Sequence, residues 1–356
     1  MRHWIGDSVK IACIYVATII GAGFASGQEI VQFFSNYFKG GYYGIITAGI
    51  LFSIIGYIVL DKVYRGRIRN YEEFLFPSVG WLMGWMMEIV STLFMISVFC
   101  VMIAGMGNII QDKLGIHFNY GIVIMAVFCM MVILTDIKGI VSLSTIVTPI
   151  MILGILAIGL YIIICKDTAV FNTYDFFKGI TKNWFFSSLI YVSYNSIIAI
   201  TVMCSMLPYL KSRRTAVSGG ILGGAFLCVI ALVLNTAIMI FSPGSLSDEL
   251  PVLGIVKNYG SIVSVIYTFV LWLAMFLSAV TSGYCFVNRL SMKMRISPKI
   301  IAAVVCAVVI PMSSMGFSRL IATVYPIFGY IGLFLVFVVL TQGFRDIFLR
   351  VTHRGQ

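Results

Sequence analysis

Long apolar runs, separated by short polar or glycine-containing turns, occupy most of the 356-residue chain. A transmembrane helix needs about 20 consecutive and mostly apolar residues, and we count ten such runs. Turn and cap signals separate several of them, as at Lys39-Gly40-Gly41 and Ser297-Pro298. The pattern predicts ten membrane-spanning helices over residues 8–36, 41–62, 79–111, 119–137, 140–165, 184–210, 215–241, 259–289, 298–316 and 319–344.

The first apolar run is interrupted in its centre by Gly21-Ala22-Gly23-Phe24-Ala25-Ser26-Gly27, which Gln28 and Glu29 follow directly. Each of the three glycines weakens a helix by about 1 kcal/mol relative to alanine. Non-helical backbone at membrane depth is tolerated only where it is buried in protein or lines a cavity. There its free peptide groups can bind ions and small solutes. The interruption therefore predicts a discontinuous helix and a transport function.

Composition supports a membrane location. The chain is 60% hydrophobic and 10% charged, whereas soluble domains are about 25% charged. We expect a single transmembrane domain over residues 1–356, embedded in the lipid bilayer of the cell inner (plasma) membrane. The net charge of +11 indicates positively charged cytoplasmic loops rather than a nucleic-acid partner. With the N-terminus inside, 17 of the 24 Lys and Arg residues lie in inner segments, which predicts that both termini are cytoplasmic.

The ten runs divide into two halves of five, over about residues 8–165 and 184–350. The sixth run carries the polar cluster Tyr191-Val192-Ser193-Tyr194-Asn195-Ser196, which predicts a second interrupted helix. In the fifth and tenth runs, residues 147–150 match residues 324–327 at an offset of 177. Because five is odd, the two halves have opposite orientations, and paired interruptions in inverted halves indicate a central binding site. A chance coincidence of prolines remains the alternative.

Four segments, at residues 21–30, 71–74, 219–225 and 325–331, resemble YkvI-type membrane transporters of the amino acid–polyamine–organocation superfamily, which has the LeuT fold. The resemblance covers essentially the whole chain. It implies an all-α integral membrane protein with ten transmembrane helices in two inverted five-helix repeats. It also implies that helices 1 and 6 are discontinuous and that transport proceeds by alternating access.

The eighth run resembles the sodium motif of this fold. The resemblance implies that Ser278, Thr281 and Ser282 bind a sodium ion together with the backbone carbonyls of Ala17 and Ile20. Carbonyl groups at helix ends suit a monovalent cation. The alternative is that these hydroxyls bond back to their own helix.

In proton-coupled relatives, a lysine of the fifth helix can occupy the ion's position. The fifth run here has no Lys or Arg, which favours sodium. Sodium is thus the predicted ion, and we expect no organic cofactor.

The predicted substrate site surrounds the two interruptions. The N–H groups of residues 22–24 suit a carboxylate, and relatives hold the carboxylate of an amino acid there. The sixth-run cluster would supply carbonyls and side chains, and the third run would supply a wall. The predicted substrate-binding residues are Ala22, Gly23, Phe24, Gln28, Glu29, Phe94, Ser97, Tyr191, Ser193, Tyr194 and Asn195.

Two intramembrane carboxylates leave the mechanism open. A helical rise of 1.5 Å per residue places Glu29 about 9 Å beyond Gly23, and an ionisable group within a membrane indicates function. Glu29 could attract an amine, close a gate or carry a proton, or it could simply be capped by neighbouring donors. Glu88 in the third run could titrate during transport or hold helices together.

We therefore expect a sodium-coupled secondary active transporter of a small amine-bearing solute, an amino acid or a related compound. One alternative is a proton-coupled transporter or exchanger that uses Glu29 or Glu88. Others are a channel and a non-transporting membrane sensor. An enzyme is not expected, because the clustered nucleophile and acid–base motifs of membrane-embedded enzymes are lacking. The substrate itself and the oligomeric state are left open.

Overall fold

The computed structural model describes residues 2–134, 137–165, 179–241, 246 and 248–353. Every regular element among these residues is a helix, so the all-α fold class is confirmed. The helices are α1 (Arg2–Ile19), α2 (Ala22–Ala25), α3 (Gln28–Phe33), α4 (Lys39–Gly66), α5 (Tyr71–Leu114), α6 (Phe118–Ile133), α7 (Ile137–Ile164), α8 (Trp184–Ser205), α9 (Arg213–Ile240), α10 (Pro251–Val256), α11 (Ser261–Met294), α12 (Pro298–Ser313) and α13 (Phe317–His353).

Seven helices in the described part of the chain are long and apolar enough to cross a membrane: α4, α5, α7, α8, α9, α11 and α13. Two shorter apolar helices, α6 and α12, lie within the predicted fourth and ninth spans. The first predicted span is divided among α1, α2 and α3. A multi-pass membrane protein follows, while the count of ten spans and the orientation of the termini stay predictions.

The helical path of the first span stops twice. Helix α1 ends at Ile19, and Ile20 and Gly21 are not helical. The single turn α2 follows, and Gly27 then adopts a left-handed conformation with φ 84° before α3 begins. Glycine adopts this φ without the steric cost that a side chain would impose. The chain therefore leaves the helical path at both ends of the glycine-containing segment of residues 21–27.

The predicted interruption of the sixth span is wrong. Helix α8 is continuous from Trp184 to Ser205 and passes through residues 191–196 without a break. Three polar side chains of this cluster, those of Ser193, Asn195 and Ser196, bond to carbonyls four residues earlier. Ser193 Oγ donates to Leu189 O at 2.6 Å, and Asn195 Nδ2 donates to Tyr191 O at 3.0 Å. Such back-bonding satisfies the polar groups within an intact helix.

The helices form two packed groups. In the first group, α1, α4, α8 and α9 pack against one another, and in the second group α5, α6, α11 and α12 do so. Corresponding helices of the two halves are neighbours in each group, because α1 packs on α8, α4 on α9, α5 on α11 and α6 on α12. This arrangement is the one that a chain of two related halves would give.

Glycines on α9 allow the first group to pack closely. A Cβ added to Gly220 would lie 2.4 Å from the carbonyl oxygen of Gly56 on α4, and one on Gly223 would lie 2.3 Å from the Tyr15 ring on α1. Small residues let membrane helices approach one another in this way. The motif at residues 219–225 thus positions α1, and with it the break, against the rest of the group.

The motif at residues 71–74 begins α5. Asn70 Oδ1 accepts a hydrogen bond from Glu73 N at 2.9 Å, and Glu73 Oε2 accepts one from Arg69 N at 2.8 Å. These reciprocal bonds satisfy backbone donors at the start of the helix. The predicted third span began at residue 79, and α5 has non-helical angles at Gly80 (φ 79°), so the helix is kinked there.

Candidate functional site

A cavity of about 270 Å³ lies beside the break in the first span. Helices α1, α5, α7, α8 and α11 enclose it, together with Glu29 and Tyr325. The lining residues are mostly apolar, and their polar members converge on the gap between Ile19 and Ala22. The polar lining residues are Thr18, Glu29, Thr148, Tyr194, Asn195, Ser278, Thr281, Ser282 and Tyr325.

Glu29 is the acidic residue of this cavity. Its side chain is buried, with 4% of the residue exposed, and its Oε2 atom accepts a hydrogen bond of 2.7 Å from the Tyr194 hydroxyl. A Cβ added to Gly23 would lie 2.2 Å from Glu29 Oε1, so the carboxylate lies directly against the Gly23 backbone. The Glu29 side chain therefore reaches back to the break, whereas the rise of about 9 Å along a helix describes only the backbone separation of the two residues.

Aromatic rings surround this carboxylate. Tyr194 packs against Tyr325 with ring centroids 4.8 Å apart, and Phe94 lies 5.9 Å from each of the two tyrosine rings. Phe33 covers Tyr194 from another side at 5.3 Å. Among the predicted substrate residues, Glu29, Phe94, Tyr194 and Asn195 all line the cavity.

The predicted sodium ligands also meet at this cavity. Ser278, Thr281 and Ser282 line it from α11, and Ala17 and Ile20 line it from the other side. The approach is close, because a Cβ added to Gly21 would lie 3.7 Å from Ser278 Oγ. The structure thus brings the five residues to one site.

These three hydroxyls differ from most others in the molecule. Many Ser and Thr side chains of the described helices bond back to the preceding helical turn, as Thr268 Oγ1 does to Ser264 O at 2.6 Å on the same helix. Ser278, Thr281 and Ser282 have no hydrogen-bond partner in the described part of the chain. The back-bonding alternative therefore does not account for them, and their oxygens remain free to bind a ligand from the cavity.

The break leaves peptide groups free at the same place. The Ile20 amide donates to Val16 O, and the Gly21 amide turns to Ile19 O at 2.9 Å. Within the described residues, the carbonyls of Ala17 and Ile20 consequently receive no backbone hydrogen bond. Unpaired carbonyls of this kind are the groups that coordinate cations in membrane proteins.

The other predicted substrate residues lie away from the cavity. Ser97 bonds to Leu93 O at 2.9 Å on another face of α5, because helical periodicity places Val98 and Met102 beside Phe94 instead. Ser193 packs against α13, where a Cβ on Gly332 would lie 2.7 Å from its carbonyl oxygen. These two residues are thus not wall residues of the cavity.

Four more predicted residues are buried around the break without lining the cavity: Ala22, Gly23, Phe24 and Tyr191. Phe24 and Tyr191 border a separate void of about 10 Å³ between α4, α8 and α9. Phe24, which was predicted to bind the substrate, therefore borders this void and does not line the central cavity. Gln28 also points elsewhere, because its Nε2 atom donates to Ser318 Oγ at the start of α13.

Three polar lining residues were missed, and one of them, Thr18, bonds back to Ile14 O at 2.8 Å. The other two belong to the sequence repeat. Thr148 on α7 and Tyr325 on α13 both line the cavity, and they occupy matching positions in the two repeated tetrapeptides at an offset of 177. The sequence repeat could have identified Thr148 and Tyr325, because it places them at equivalent positions in the two halves. Their shared location agrees with a cavity placed between two related halves.

One layer of contacts covers the break on the side away from α1. The Tyr267 hydroxyl donates to Ala25 O at 2.5 Å, and Val252 N of α10 donates to Ser26 O at 3.0 Å. Beyond this layer lies a second cavity of about 310 Å³, bordered by the end of α5 and by α10. Its acidic lining residues are Asp112, Asp248 and Glu249.

Glu88 does not line the central cavity. Its Oε1 atom forms an ion pair of 3.3 Å with Arg289 Nε, and Arg289 also donates to Thr92 Oγ1 at 3.0 Å. This pair connects α5 to α11. The arrangement favours the role of holding helices together over that of a titrating group in the transport path.

No family model matches the chain. Among curated proteins, it is similar to two from Bacillus subtilis. One is the uncharacterized membrane protein YkvI, which is 25% identical over 339 residues that cover 94% of this chain and 95% of that protein. The other is the uncharacterized protein YyaD, which is 28% identical over 337 residues that cover 93% and 96%. The expected resemblance to YkvI is thus confirmed at the level of sequence similarity.

Three solved structures have a similar fold. A mutant of the Eremococcus coleocola manganese transporter has a TM-score of 0.67 at 14% identity, with 96% of this chain and 80% of that chain covered. A Na⁺-coupled sialic acid symporter has a TM-score of 0.59 at 13% identity, with coverage of 95% and 78%. Mhp1 in its inward-facing conformation has a TM-score of 0.58 at 13% identity, with coverage of 93% and 75%. These proteins are transporters and not enzymes, in agreement with the expectation that this chain is not an enzyme.

Proposed function

We propose that this protein is a sodium-coupled secondary active transporter of a small amine-bearing solute, an amino acid or a related compound. In this proposal, it belongs to the amino acid–polyamine–organocation superfamily with the LeuT fold. The observation that carries the proposal is the meeting of three free hydroxyls with two free carbonyls in the cavity that also contains Glu29.

Sodium is a co-transported substrate in this account. Its ligands are the backbone carbonyls of Ala17 and Ile20, and Ser278, Thr281 and Ser282 on α11. These oxygens suit a monovalent cation, because unpaired carbonyl groups at a helix break coordinate such ions in membrane proteins. The location also explains coupling, since α1 and α11 belong to different packed groups and an ion between them influences how the groups fit together.

Alternating access is supported by an asymmetry between the two halves. Helix α13 packs along α8, whereas the cavity separates the corresponding helices of the first half, α7 and α1. If α7 instead packed along α1 and α13 moved away from α8, the cavity would close on one side and open on the other. The group formed by α1, α4, α8 and α9 would rock against the group formed by α5, α6, α11 and α12.

Glu29 supplies the second recognition element. Its carboxylate lies in the cavity without a basic partner among the described lining residues. A charge in such a place is costly unless it is paired or neutralised. An amine-bearing solute would pair with it, and a proton would neutralise it. Proton coupling through Glu29 is therefore the second candidate function, while the pairing of Glu88 with Arg289 disfavours Glu88 in that role.

The sodium site can be tested on purified protein before its solute is known. A ligand that binds the folded state raises the melting temperature by mass action. We expect sodium, but not potassium at equal ionic strength, to raise the melting temperature of the wild type. The double variant Thr281→Ala/Ser282→Ala should lose this difference.

The matched control is Thr268→Ala, which removes a hydroxyl of the same helix that bonds to its own backbone. This variant should retain the response to sodium. A response that persists in the double variant, or that is absent from the wild type, would contradict the sodium site. If sodium has no effect and a pH gradient alone drives solute flux, the second candidate function is the correct one.

A further inference from the structure

The central cavity has one ionisable acid and no base. Among its described lining residues, Glu29 is the only one of the types Asp, Glu, Lys, Arg and His. The remaining polar groups are hydroxyls and one amide, which carry no charge. The lining thus has a formal charge of −1 with Glu29 ionised, and a solute that enters it meets a negative field.

The position of Glu29 also decides which solute groups can approach the break. Its Oε1 atom lies against Gly23, and its Oε2 atom is held by Tyr194. The backbone N–H groups of residues 22–24 were expected to receive a solute carboxylate. A second carboxylate placed there would lie beside Glu29 in a desolvated site, where like charges repel strongly. Glu29, buried against Gly23, already supplies negative charge to this part of the cavity.

The neighbouring aromatic rings favour a cation. Tyr194 and Tyr325 both line the cavity with their rings 4.8 Å apart, and Phe94 lies beside them. A cation within about 6 Å of such ring faces is attracted by the negative charge distribution of the π system. An ammonium group bound to Glu29 would meet these rings at the same time.

The second cavity has the same sign of charge. Asp112, Asp248 and Glu249 line it with one base, Lys257, which pairs with Asp112. An excess of negative charge raises the local concentration of cations. The described lining residues of both cavities therefore favour positively charged solutes.

We propose that the cargo is a small organic monocation that has no carboxylate: a primary or methylated amine whose ammonium group pairs with Glu29. The inference rests on the proposed function and narrows it, because it excludes zwitterionic amino acids as the preferred cargo. Glu29 provides the negative charge that balances the ammonium group. A zwitterionic amino acid already carries this negative charge in its own carboxylate.

Matched pairs of compounds test the proposal, since each amine differs from its amino acid only by the carboxylate. The pairs are isobutylamine with valine, phenethylamine with phenylalanine, and ethanolamine with serine. Thermal stabilisation of the purified protein and sodium-driven uptake into proteoliposomes are measured for each compound. We expect at least one amine to bind and to be taken up, with an affinity at least 10-fold higher than that of its amino acid.

The variant Glu29→Gln should weaken amine binding at least 10-fold and should retain stabilisation by sodium alone, which shows that the variant is folded. The control Glu72→Gln, at an exposed position outside both cavities, should bind as the wild type does. Sodium-driven uptake of an amino acid with no effect of its amine would overturn this inference and leave the proposed function standing.

Amine uptake that depends on Glu29 but not on sodium would support the inference and contradict the proposed function. Failure of all three amines to bind would overturn the inference.

Discussion

The Tyr194 hydroxyl donates a hydrogen bond of 2.7 Å to Glu29 Oε2, and this bond joins α8 to the segment that follows the break. Both residues are buried, and both line the central cavity. Hydrogen bonds to charged acceptors are shorter and stronger than neutral ones. The bond therefore fixes the direction of the carboxylate, and it places one residue from each half of the chain at the same point of the site.

Removal of this hydroxyl should weaken solute binding. The variant Tyr194→Phe retains the ring packing but deprives Glu29 of its donor. Hydrogen bonds to charged groups contribute about 1.5–3 kcal/mol, so we expect solute affinity to fall roughly 10- to 100-fold in a binding or uptake measurement.

The control for this variant is Tyr15→Phe. The Tyr15 hydroxyl also donates a buried bond, to Phe52 O at 3.0 Å, but it lies outside the cavity. This variant should lose some stability and retain wild-type affinity. Equal affinities for Tyr194→Phe and the wild type would remove Tyr194 from the recognition site.

A methyl group at Gly23 should disturb the same carboxylate. In Gly23→Ala, the added Cβ would lie 2.2 Å from Glu29 Oε1, so the Glu29 side chain would have to leave its position. We expect loss of solute binding, together with a response to sodium that resembles that of the wild type. Thermal shifts with sodium and with solute, measured separately, distinguish the two effects.

Gly6→Ala provides the comparison for this variant. A Cβ at Gly6 in α1 would meet nothing within 4 Å, and alanine favours a helix over glycine by about 1 kcal/mol. This control should be at least as stable as the wild type and fully active. Unchanged solute binding in Gly23→Ala would mean that the contact between Gly23 and Glu29 has no functional importance.

Glu88 should affect stability rather than coupling. Glu88→Gln breaks the ion pair with Arg289 and leaves the guanidinium, which is partly buried, with the Thr92 hydroxyl. We expect a loss of about 1–3 kcal/mol in stability, the typical cost of a partner lost from a buried polar group. The dependence of uptake on sodium and on pH should stay that of the wild type. A changed ion dependence in this variant would restore Glu88 as a coupling residue.

The sequence was sufficient to predict an all-helical membrane protein and the break in the first span. Long apolar runs leave little choice but helices in a bilayer, and the glycines at positions 21, 23 and 27 identify the interruption. The three hydroxyls on α11 were chosen because their stretch resembles a sodium motif, and they line the central cavity, while their binding of sodium stays a prediction. In each case the signal lies in a short stretch of sequence and does not depend on contacts between distant residues.

The rest depends on packing that the sequence does not display. The cluster at residues 191–196 has the polarity of a break, yet Ser193 and Asn195 satisfy their polar groups on their own helix, and α8 remains continuous. Glu29 contacts Gly23 through its side chain, and the spacing of the two residues along the chain does not display this contact. Ser97 was chosen by its depth in the membrane, but depth does not determine which face of α5 meets the cavity.

Sodium-driven accumulation in proteoliposomes tests the central claim most directly, namely that the broken helix and the α11 hydroxyls couple an ion to a solute. Vesicles that contain the wild type or Thr281→Ala/Ser282→Ala are given an inward gradient of sodium or of potassium, with the amines and amino acids above as solutes. The account predicts accumulation of at least one solute by the wild type in sodium alone, and none by the double variant. Equal accumulation in sodium and in potassium, or sodium-driven accumulation by the double variant, would contradict it.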